Sequence, residues 1–197
     1  EIPEYWDVVA LGEIALIERG KFAHRPRNDP DFYGGATPFI QTGDVTASEG
    51  RITSYTQTLN DQGLSVSRTF PKGTIVITIA ANIGYTGILQ FECAFPDSLI
   101  GITPNETVDN IYLEYYLQTQ QARMDQMAPQ GTQKNINIQF LRPWPAPVAP
   151  PSEQEEIALF LSSADAKIAA EEQRKAALEE LFYSALEQLM TGQTRIS

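Results

Sequence analysis

Hydrophobic and polar residues follow two different patterns along the chain, and the change comes near residue 150. Before it, short apolar runs are separated by turn-forming residues, and 12 of the 13 glycines and 12 of the 13 prolines lie there. Residues 152–191 contain neither Gly nor Pro, and their apolar positions recur with helical spacing. The pattern predicts a domain of short elements over residues 1–149 and one long helix within residues 150–197.

Several apolar runs of strand length, rich in Val, Ile, Thr and aromatic residues, predict the strands of the first part. They are TPFIQTGDV, GRITSYTQTL, GTIVITIAANIG, GILQFECAF and INIQFL. Residues 110–127 have helical spacing, and VVALGEIALIERG begins with a short helix or turn. The apolar positions assigned to the 110–127 helix are Ile111, Tyr115, Ala122 and Met127. The expected fold class is α+β and mostly β.

A proline-rich segment, residues 140–151, cannot be a helix or a central strand, so we expect a stiff, extended connection there. Ser152 and Glu155 follow it with the spacing of a capping box, which predicts the start of the long helix. Gly192 is a suitable residue to end it. About 38 residues at 1.5 Å each predict a rod of roughly 57 Å.

A heptad repeat runs along this helix, with a seam that alternates by four and three residues. Its members are Ile157, Leu161, Ala164, Ile168, Glu171, Lys175, Leu178, Phe182, Ala185 and Leu189. A helix of this length needs a partner beyond its own domain, and we expect an antiparallel coiled coil with a second such helix. The alternative is a helix folded back on its own domain, with the two charged members marking where it leaves the surface.

The charged seam residues predict the register of the antiparallel pair. A two-fold axis near Gln173 places Glu171 opposite Lys175 of the other helix, twice. A shift by one heptad sets either charge against an apolar residue, Ile168 or Leu178, and buries that charge without a partner. A parallel pair would stack like charges. The two residues therefore act as a register lock.

Composition and charge narrow the expected functions. The chain carries a net charge of −11, with 16 acidic and 10 basic residues up to residue 150 and 9 and 4 after it. Such a balance disfavours a protein that coats DNA, because phosphate neutralisation dominates non-specific affinity. The chain has one cysteine, one histidine and no metal, nucleotide or nucleophile motif, so we expect no catalytic residue, cofactor or metal site. Without a membrane span or secretory signal, a cytoplasmic protein is expected.

Two segments are candidates for contact with DNA. In ERGKFAHRPRN the basic residues Lys21, Arg25 and Arg27, with Arg19 nearby, form a local patch suited to phosphate. A solvated loop is the equally weighted alternative. In GTQKNIN the side chains of Gln133, Lys134 and Asn135 could pair with base edges, or the segment could be only a turn.

The order of these segments resembles the specificity subunit of type I restriction–modification systems over nearly the whole chain. IPEYWDVVALGEIALIERG, TPFIQTGDVT and FPKGTIVITIAANIGYTGIL are similar to a target recognition domain, and KAALEELFYSALEQLMTGQTR to the end of a conserved helical region. The resemblance implies double-stranded DNA and methyltransferase subunits as partners, and in some complexes a restriction and translocation subunit. A full subunit has two recognition domains held apart by two antiparallel helices. This chain has one recognition domain and one such helix, which implies a homodimer or half of a longer subunit.

The leading hypothesis is a DNA-reading half-subunit without catalytic activity of its own. The main alternative is a coiled-coil adaptor that binds protein and does not read DNA, which the acidic charge favours. An enzyme acting on nucleic acid is a third hypothesis, disfavoured by the missing motifs.

Overall fold

A computed structural model describes residues 2–129 and 134–193. The chain divides into two compact units, residues 1–155 and 156–197. The strands are β1 Asp7–Ala10, β2 Ala15–Arg19, β3 Tyr33–Phe39, β4 Gly50–Ile52, β5 Gln57–Leu59, β6 Thr69–Phe70, β7 Ile75–Thr78, β8 Thr86–Leu89, β9 Cys93–Ala94, β10 Leu99–Pro104 and β11 Pro145–Val148. The helices are α1 Leu11–Ile14, α2 Thr42–Thr46, α3 Asp61–Ser65, α4 Asn110–Met127, α5 Ile138–Leu141 and α6 Pro151–Met190. The predicted class, a sheet-rich domain followed by a long helix, is confirmed.

Three sheets build the first unit. Five strands in the order β2-β10-β7-β8-β4 form the largest, in which β4 and β8 are parallel and the other neighbours antiparallel. A four-stranded sheet has the order β5-β3-β9-β6, and β1 pairs with β11 alone. The strands of the central pair, β7 and β8, are buried at every position, as continuous apolar runs predict.

The main core lies between the two larger sheets, where the rings of Phe70 and Phe95 stack with centroids 4.0 Å apart. Gly101 on β10 makes this possible, because a Cβ there would come within 2.7 Å of the Phe70 ring. A second cluster joins Phe22, Phe39 and Leu59. Large apolar side chains from strands that are far apart in sequence therefore pack together and hold the sheets against each other.

Two predicted strands contain a helix in the structure, and a third, GRITSYTQTL, forms the separate strands β4 and β5 of different sheets. TPFIQTGDV continues only to Phe39, and its second half is α2, because Gln41 and Asp44 cap each other reciprocally at the helix start. INIQFL is the helix α5, where the Asn137 side chain accepts a hydrogen bond from the Phe140 amide at 2.9 Å. In both places a local side-chain cap outweighs the strand preference of the apolar residues.

The 110–127 helix is confirmed as α4, but its predicted apolar face is wrong. The buried residues are Tyr112, Leu113, Glu114, Leu117 and Met124, while Met127 is 54% exposed. The buried face contains the carboxylate of Glu114, so the spacing of apolar residues alone predicted the neighbouring face as the buried one.

The proline-rich segment belongs to the domain and is not a mere connection. Residues 138–141 are helical and Pro145–Val148 is the edge strand β11. The carbonyl groups of Pro145 and Pro147 accept hydrogen bonds from the hydroxyl groups of Tyr116 and Tyr112, one helical turn apart on α4. Proline has no amide hydrogen to donate to a neighbouring strand. It is tolerated in β11 because this strand pairs on one side only, with β1.

The long helix is confirmed, but the capping box is wrong. The helix α6 begins at Pro151, before Ser152, and the Pro150 carbonyl accepts from the amides of Glu153 and Gln154 at 2.9 and 3.0 Å. Proline is tolerated at the first helical position, because the amide hydrogen that it lacks would have no acceptor within the helix. Gly192 has φ of 71° just beyond the end at Met190, in agreement with the predicted stop.

The first turn of α6 is bound to the rest of the first unit by two side chains. Glu153 accepts from the Tyr5 hydroxyl and the Trp6 indole, each at 3.2 Å. Gln154, 1% exposed, accepts from the Asp109 amide at 2.8 Å and donates to the carbonyls of Ala149 and Thr107 at 2.8 and 3.3 Å. This network places residues 151–155 with the domain, so the boundary between the units lies inside the helix.

We expect Gln154→Ala to destabilise the first unit by about 2–4 kcal/mol, because it leaves three backbone groups without their partner. Urea unfolding followed by tryptophan fluorescence measures this, since Trp6 and Trp144 both lie in that unit. The control is Gln126→Ala on the exposed side of α4, expected to change stability by less than about 0.5 kcal/mol. Equal unfolding midpoints for the two variants would contradict the anchoring role.

Candidate nucleic-acid interface

Three arginines from two segments converge on Asp97. Arg19 ends β2, and its Nε donates to the Asp97 carbonyl oxygen at 2.6 Å. Arg25 Nη2 lies 3.3 Å from Asp97 Oδ2, and Arg27 Nη2 contacts the other carboxylate oxygen, Oδ1. The pairing of β2 with β10 brings these residues together, because it sets Arg19 beside Ile100, just after the turn that carries Asp97.

The loop that carries the arginines is held by further bonds. Arg25 Nη1 donates to the carbonyls of Phe22 and His24 at 2.6 and 2.7 Å, and the Tyr33 hydroxyl donates to the Arg27 carbonyl. Burial raises the pKa of the Tyr33 hydroxyl, against the opposing charge of Arg27, so the group stays a neutral donor at neutral pH. The basic segment is thus a braced loop, which disfavours the solvated-loop alternative.

The histidine of this loop, His24, makes contacts that hold the loop in place. The His24 ring stacks on Phe32 with centroids 3.9 Å apart, and its Nε2 lies 3.0 Å from Asp29 Oδ2. These contacts connect the loop to the short 3₁₀ turn Pro30–Phe32. His24 therefore helps to shape the basic loop.

The arginine cluster, defined as Arg19, Lys21, Arg25, Arg27 and Asp97, carries a positive excess. Four cations against one carboxylate give a net +3 in a chain of net −11. The guanidinium side chains of Arg25 and Arg27 are 51% and 44% exposed. Exposed, positioned guanidinium groups are suited to bind phosphate oxygens. Sequence reasoning included Arg19 in the patch but missed Asp97, which lies 70 residues beyond Arg27.

The second predicted segment is placed only in part. Gln133 lies outside the described residues. Lys134 Nζ is 2.9 Å from Asp125 Oδ1 with a third of its side chain exposed, and Asn135 forms a β-bridge with Ala80. The side-chain oxygen of Asn135 is buried with no hydrogen-bond partner among the described residues. The expected base contact of these residues stays a prediction, and Asn135 is the member that this packing disfavours.

The neighbour of that segment is a tight turn between β7 and β8. Ala81 has φ of 61°, and the Thr78 hydroxyl donates to the Asn82 carbonyl and accepts from the Tyr85 amide at 3.0 Å. The side chain of Tyr85 is 44% exposed, and Asn82 is exposed as well. A turn held so tightly presents polar and aromatic side chains at low entropic cost, and the bridge between Ala80 and Asn135 connects it to the segment that carries Lys134. The predicted strand GTIVITIAANIG included the residues of this turn, but the strand ends at Thr78 and the turn was missed.

A buried carboxylate, Glu114, lies on the inner face of α4. It accepts from Gln118 Nε2 at 2.7 Å and the Thr86 hydroxyl at 3.0 Å, and pairs with Arg51 at 3.2 Å. Burial raises the pKa of Glu114, although these donors and the Arg51 charge lower it in part. Glu114 therefore ties α4 to the largest sheet.

Arg51 also lines an open cavity of about 550 Å³, together with Asp44 and Glu49. These two carboxylates make the cavity unsuited to bind phosphate.

From Ala164 onward the apolar members of the seam are exposed in the single chain, while Ile157 and Leu161 are half-buried. Ile168 and Leu178 are each 57% exposed, Phe182 is 62% and Leu189 42%. Glu171 lies 3.8 Å from Arg174 and Lys175 3.8 Å from Glu179, both within the helix. Further exposed apolar residues lie beside the seam in the last three turns: Leu181, Tyr183, Leu186 and Met190. Exposed patches of this kind mark surfaces of interaction.

Two other kinds of site were sought within residues 2–129 and 134–193. No helix there combines the length and apolar character that crossing a bilayer requires. No three His, Cys, Asp or Glu side chains of those residues gather as metal ligands would.

Comparisons with known proteins point to one family. Residues 3–180 match the family model of the type I restriction modification DNA specificity domain. In Methanocaldococcus jannaschii, a protein provisionally named the type I restriction enzyme MjaX specificity subunit is 27% identical over the whole chain, and the MjaIX specificity subunit is 26% identical over 92% of it. The chain spans 45% and 43% of these two relatives, less than half of either.

Solved structures share the fold. A chain from a study of complex assembly and conformational transition of the type I R-M system superposes with a TM-score of 0.75 at 23% identity, over 95% of this chain and 45% of the other. The HsdS subunit from Thermoanaerobacter tengcongensis superposes with a TM-score of 0.69 at 22% identity, with the same coverage. Because the family model covers residues 3–180, the chain belongs to the type I restriction–modification DNA specificity domain family.

Proposed function

We propose that the chain is a non-catalytic DNA-recognition half of a type I specificity subunit, which reads one half of a split target and directs methyltransferase subunits to it. The arginine cluster is the observation that carries this proposal, since it concentrates a net +3 in a domain that is acidic elsewhere. A restriction and translocation subunit is a further proposed partner. A cytoplasmic location belongs to the same proposal.

Phosphate contact is the role proposed for Lys21, Arg25 and Arg27, with Arg19 added on the geometry. Such contacts position a protein on the duplex without reading its sequence. Base reading is proposed for Lys134, for the exposed Asn82 and Tyr85 of the turn between β7 and β8, and for Gln133, which lies outside the described residues. The first set of residues would supply affinity and the second would supply discrimination.

A second copy of the chain, or the other half of a longer subunit, is proposed as the partner of α6. The 40 residues of this helix extend over about 60 Å at 1.5 Å per residue. In the antiparallel register Ile168 faces Leu178. Ala164 faces Phe182 and Leu161 faces Ala185, each a small side chain against a large one. Two recognition domains joined in this way would read a palindromic split target if the copies are identical.

The adaptor hypothesis has one observation in its favour. The last turns of α6 expose apolar residues on a face wider than the seam, including Leu181, Leu186 and Met190. A face of that width is suited to pack against more than one helix. In the DNA-reading proposal the same face would dock a methyltransferase subunit, so the two hypotheses differ in whether the isolated protein binds a duplex.

Replacing Arg25 and Arg27 together with Ala should weaken binding to all duplex sequences about equally. Each lost phosphate contact should reduce the slope of log K against log salt by about 0.9. Fluorescence anisotropy with a mixed-sequence duplex over a range of salt measures both effects. Lys72→Ala with Lys167→Ala removes two positive charges elsewhere and should change the slope less. A changed sequence preference at unchanged overall affinity would contradict the positioning role.

Lys134→Ala should cost about 1–3 kcal/mol of discrimination at one base position of the recognised site. Methylation mapping in cells with the neighbouring methyltransferase gives the site, and competition with single-base variants gives the loss. Asp125→Asn is the control, because it removes the ion pair of Lys134 but keeps the lysine, and should leave base preference unchanged. A loss shared equally by all sequences would assign Lys134 to phosphate.

Glu171→Lys alone should impair dimerisation, and adding Lys175→Glu should restore it, because the two positions face each other across the proposed axis. Sedimentation equilibrium measures both, and Glu172→Lys, off the seam, is the charge-matched control. A cysteine at 164 should crosslink to one at 182 of the other chain and not to its own equivalent. The native Cys93 does not interfere, since burial raises its pKa to about 12. Normal dimerisation of Glu171→Lys would disprove this register.

A further inference from the structure

We propose that Asp97 is an internal anion that competes with DNA phosphate for Arg25 and Arg27, and so sets how weakly the domain holds a duplex on which it makes no base contacts. The inference rests on the proposed DNA-reading function.

The contacts of Asp97 are those that a phosphate would make. Its two carboxylate oxygens are divided between two guanidinium groups, Oδ2 at 3.3 Å from Arg25 and Oδ1 in contact with Arg27. Carboxylate and phosphate oxygens accept from arginine in the same planar geometry. A phosphate that approaches the paired arginines must therefore displace the Asp97 carboxylate or share its donors.

The competitor is held in place by its backbone. Its carbonyl oxygen accepts from Arg19 Nε at 2.6 Å, and the turn around it is closed by the Leu99 amide donating to Pro96 at 3.1 Å. Arg25 is also fixed, because its Nη1 is bonded to the carbonyls of Phe22 and His24. The Asp97 backbone and the Arg25 side chain therefore keep their positions, so a carboxylate displaced by phosphate remains beside the guanidinium pair and can return to it.

The exposure of these groups fits a competitor and does not fit a structural ion pair. The side chains are 37% exposed for Asp97 and 51% and 44% for the two arginines, and ion pairs at that exposure contribute little to folding. A polyanion can displace such a carboxylate at a modest loss of affinity. That loss applies to every duplex, so a site with no base contacts falls below stable binding before a specific site does.

Asp97→Asn in the full chain is the test, with binding to a mixed-sequence duplex measured by fluorescence anisotropy at increasing salt. We expect binding about two- to thirtyfold tighter at low salt, because phosphate no longer has to break two exposed ion pairs. The salt slope should rise by up to about 0.9, because one more net positive charge faces the phosphates. Asp61→Asn, an exposed aspartate on α3, makes the same charge change away from the cluster and should give a smaller gain.

Three outcomes overturn the proposal. If Asp97→Asn binds no tighter than Asp61→Asn while the wild type binds duplex, the competitor role is wrong and the DNA-reading function stands. If the gain survives Arg25→Ala and Arg27→Ala in the Asp97→Asn background, it does not act through the arginines. If neither the wild type nor Asp97→Asn binds any duplex, with or without the methyltransferase subunit, the proposed function fails as well.

A folding control separates a structural role from competition. Asp97→Ala is a second variant, expected to bind duplex more tightly in the same way. If both variants unfold at clearly lower urea concentration by tryptophan fluorescence, Asp97 is a structural residue and the proposal is wrong.

Discussion

The hydrogen bonds of one neutral side chain, Gln154, hold together the parts of the first unit that carry the long helix. Its amide bonds to the backbone at the start of α4, at the turn before it and at the end of β11. Because the Gln154 side chain is buried, its amide group depends on these backbone partners for its own hydrogen bonds. The first turn of α6 is thereby made part of the domain, and the chain leaves the domain already helical.

Charge is distributed so that an acidic protein still presents a local basic surface. The basic side chains of residues 19–27 are gathered by the pairing of β2 with β10 and braced by backbone carbonyls, while Asp97 partly neutralises them. Net charge governs long-range attraction, but contact with a phosphate depends on the few groups within hydrogen-bonding distance. A net −11 chain therefore does not exclude a DNA reader. This net charge favours a DNA reader whose affinity depends on a few positioned basic side chains.

The elements that the sequence predicted well are those whose signal is local. The helices over 110–127 and 151–190, the buried strands around TIVIT and GIL, and the stop at Gly192 follow from spacing, apolar runs and the distribution of Gly and Pro. The errors have a common cause. At Gln41, Asn137 and Pro151 the helix starts were decided by caps or by proline geometry, and on α4 the buried face holds Glu114, whose burial depends on Thr86 and Arg51 from other strands.

The sequence by itself determined the class of fold, the family, the basic character of residues 19–27 and the heptad seam, because these depend on residue type and on spacing along one chain. Only the tertiary structure decided which charges meet. Asp97 reaches Arg25 and Arg27 across 72 and 70 residues, and Lys134 is paired with Asp125. Likewise, Asn135 is tied to a turn more than 50 residues earlier. Such contacts arise from strand pairing and sheet packing between distant segments, and no local pattern in the sequence records them.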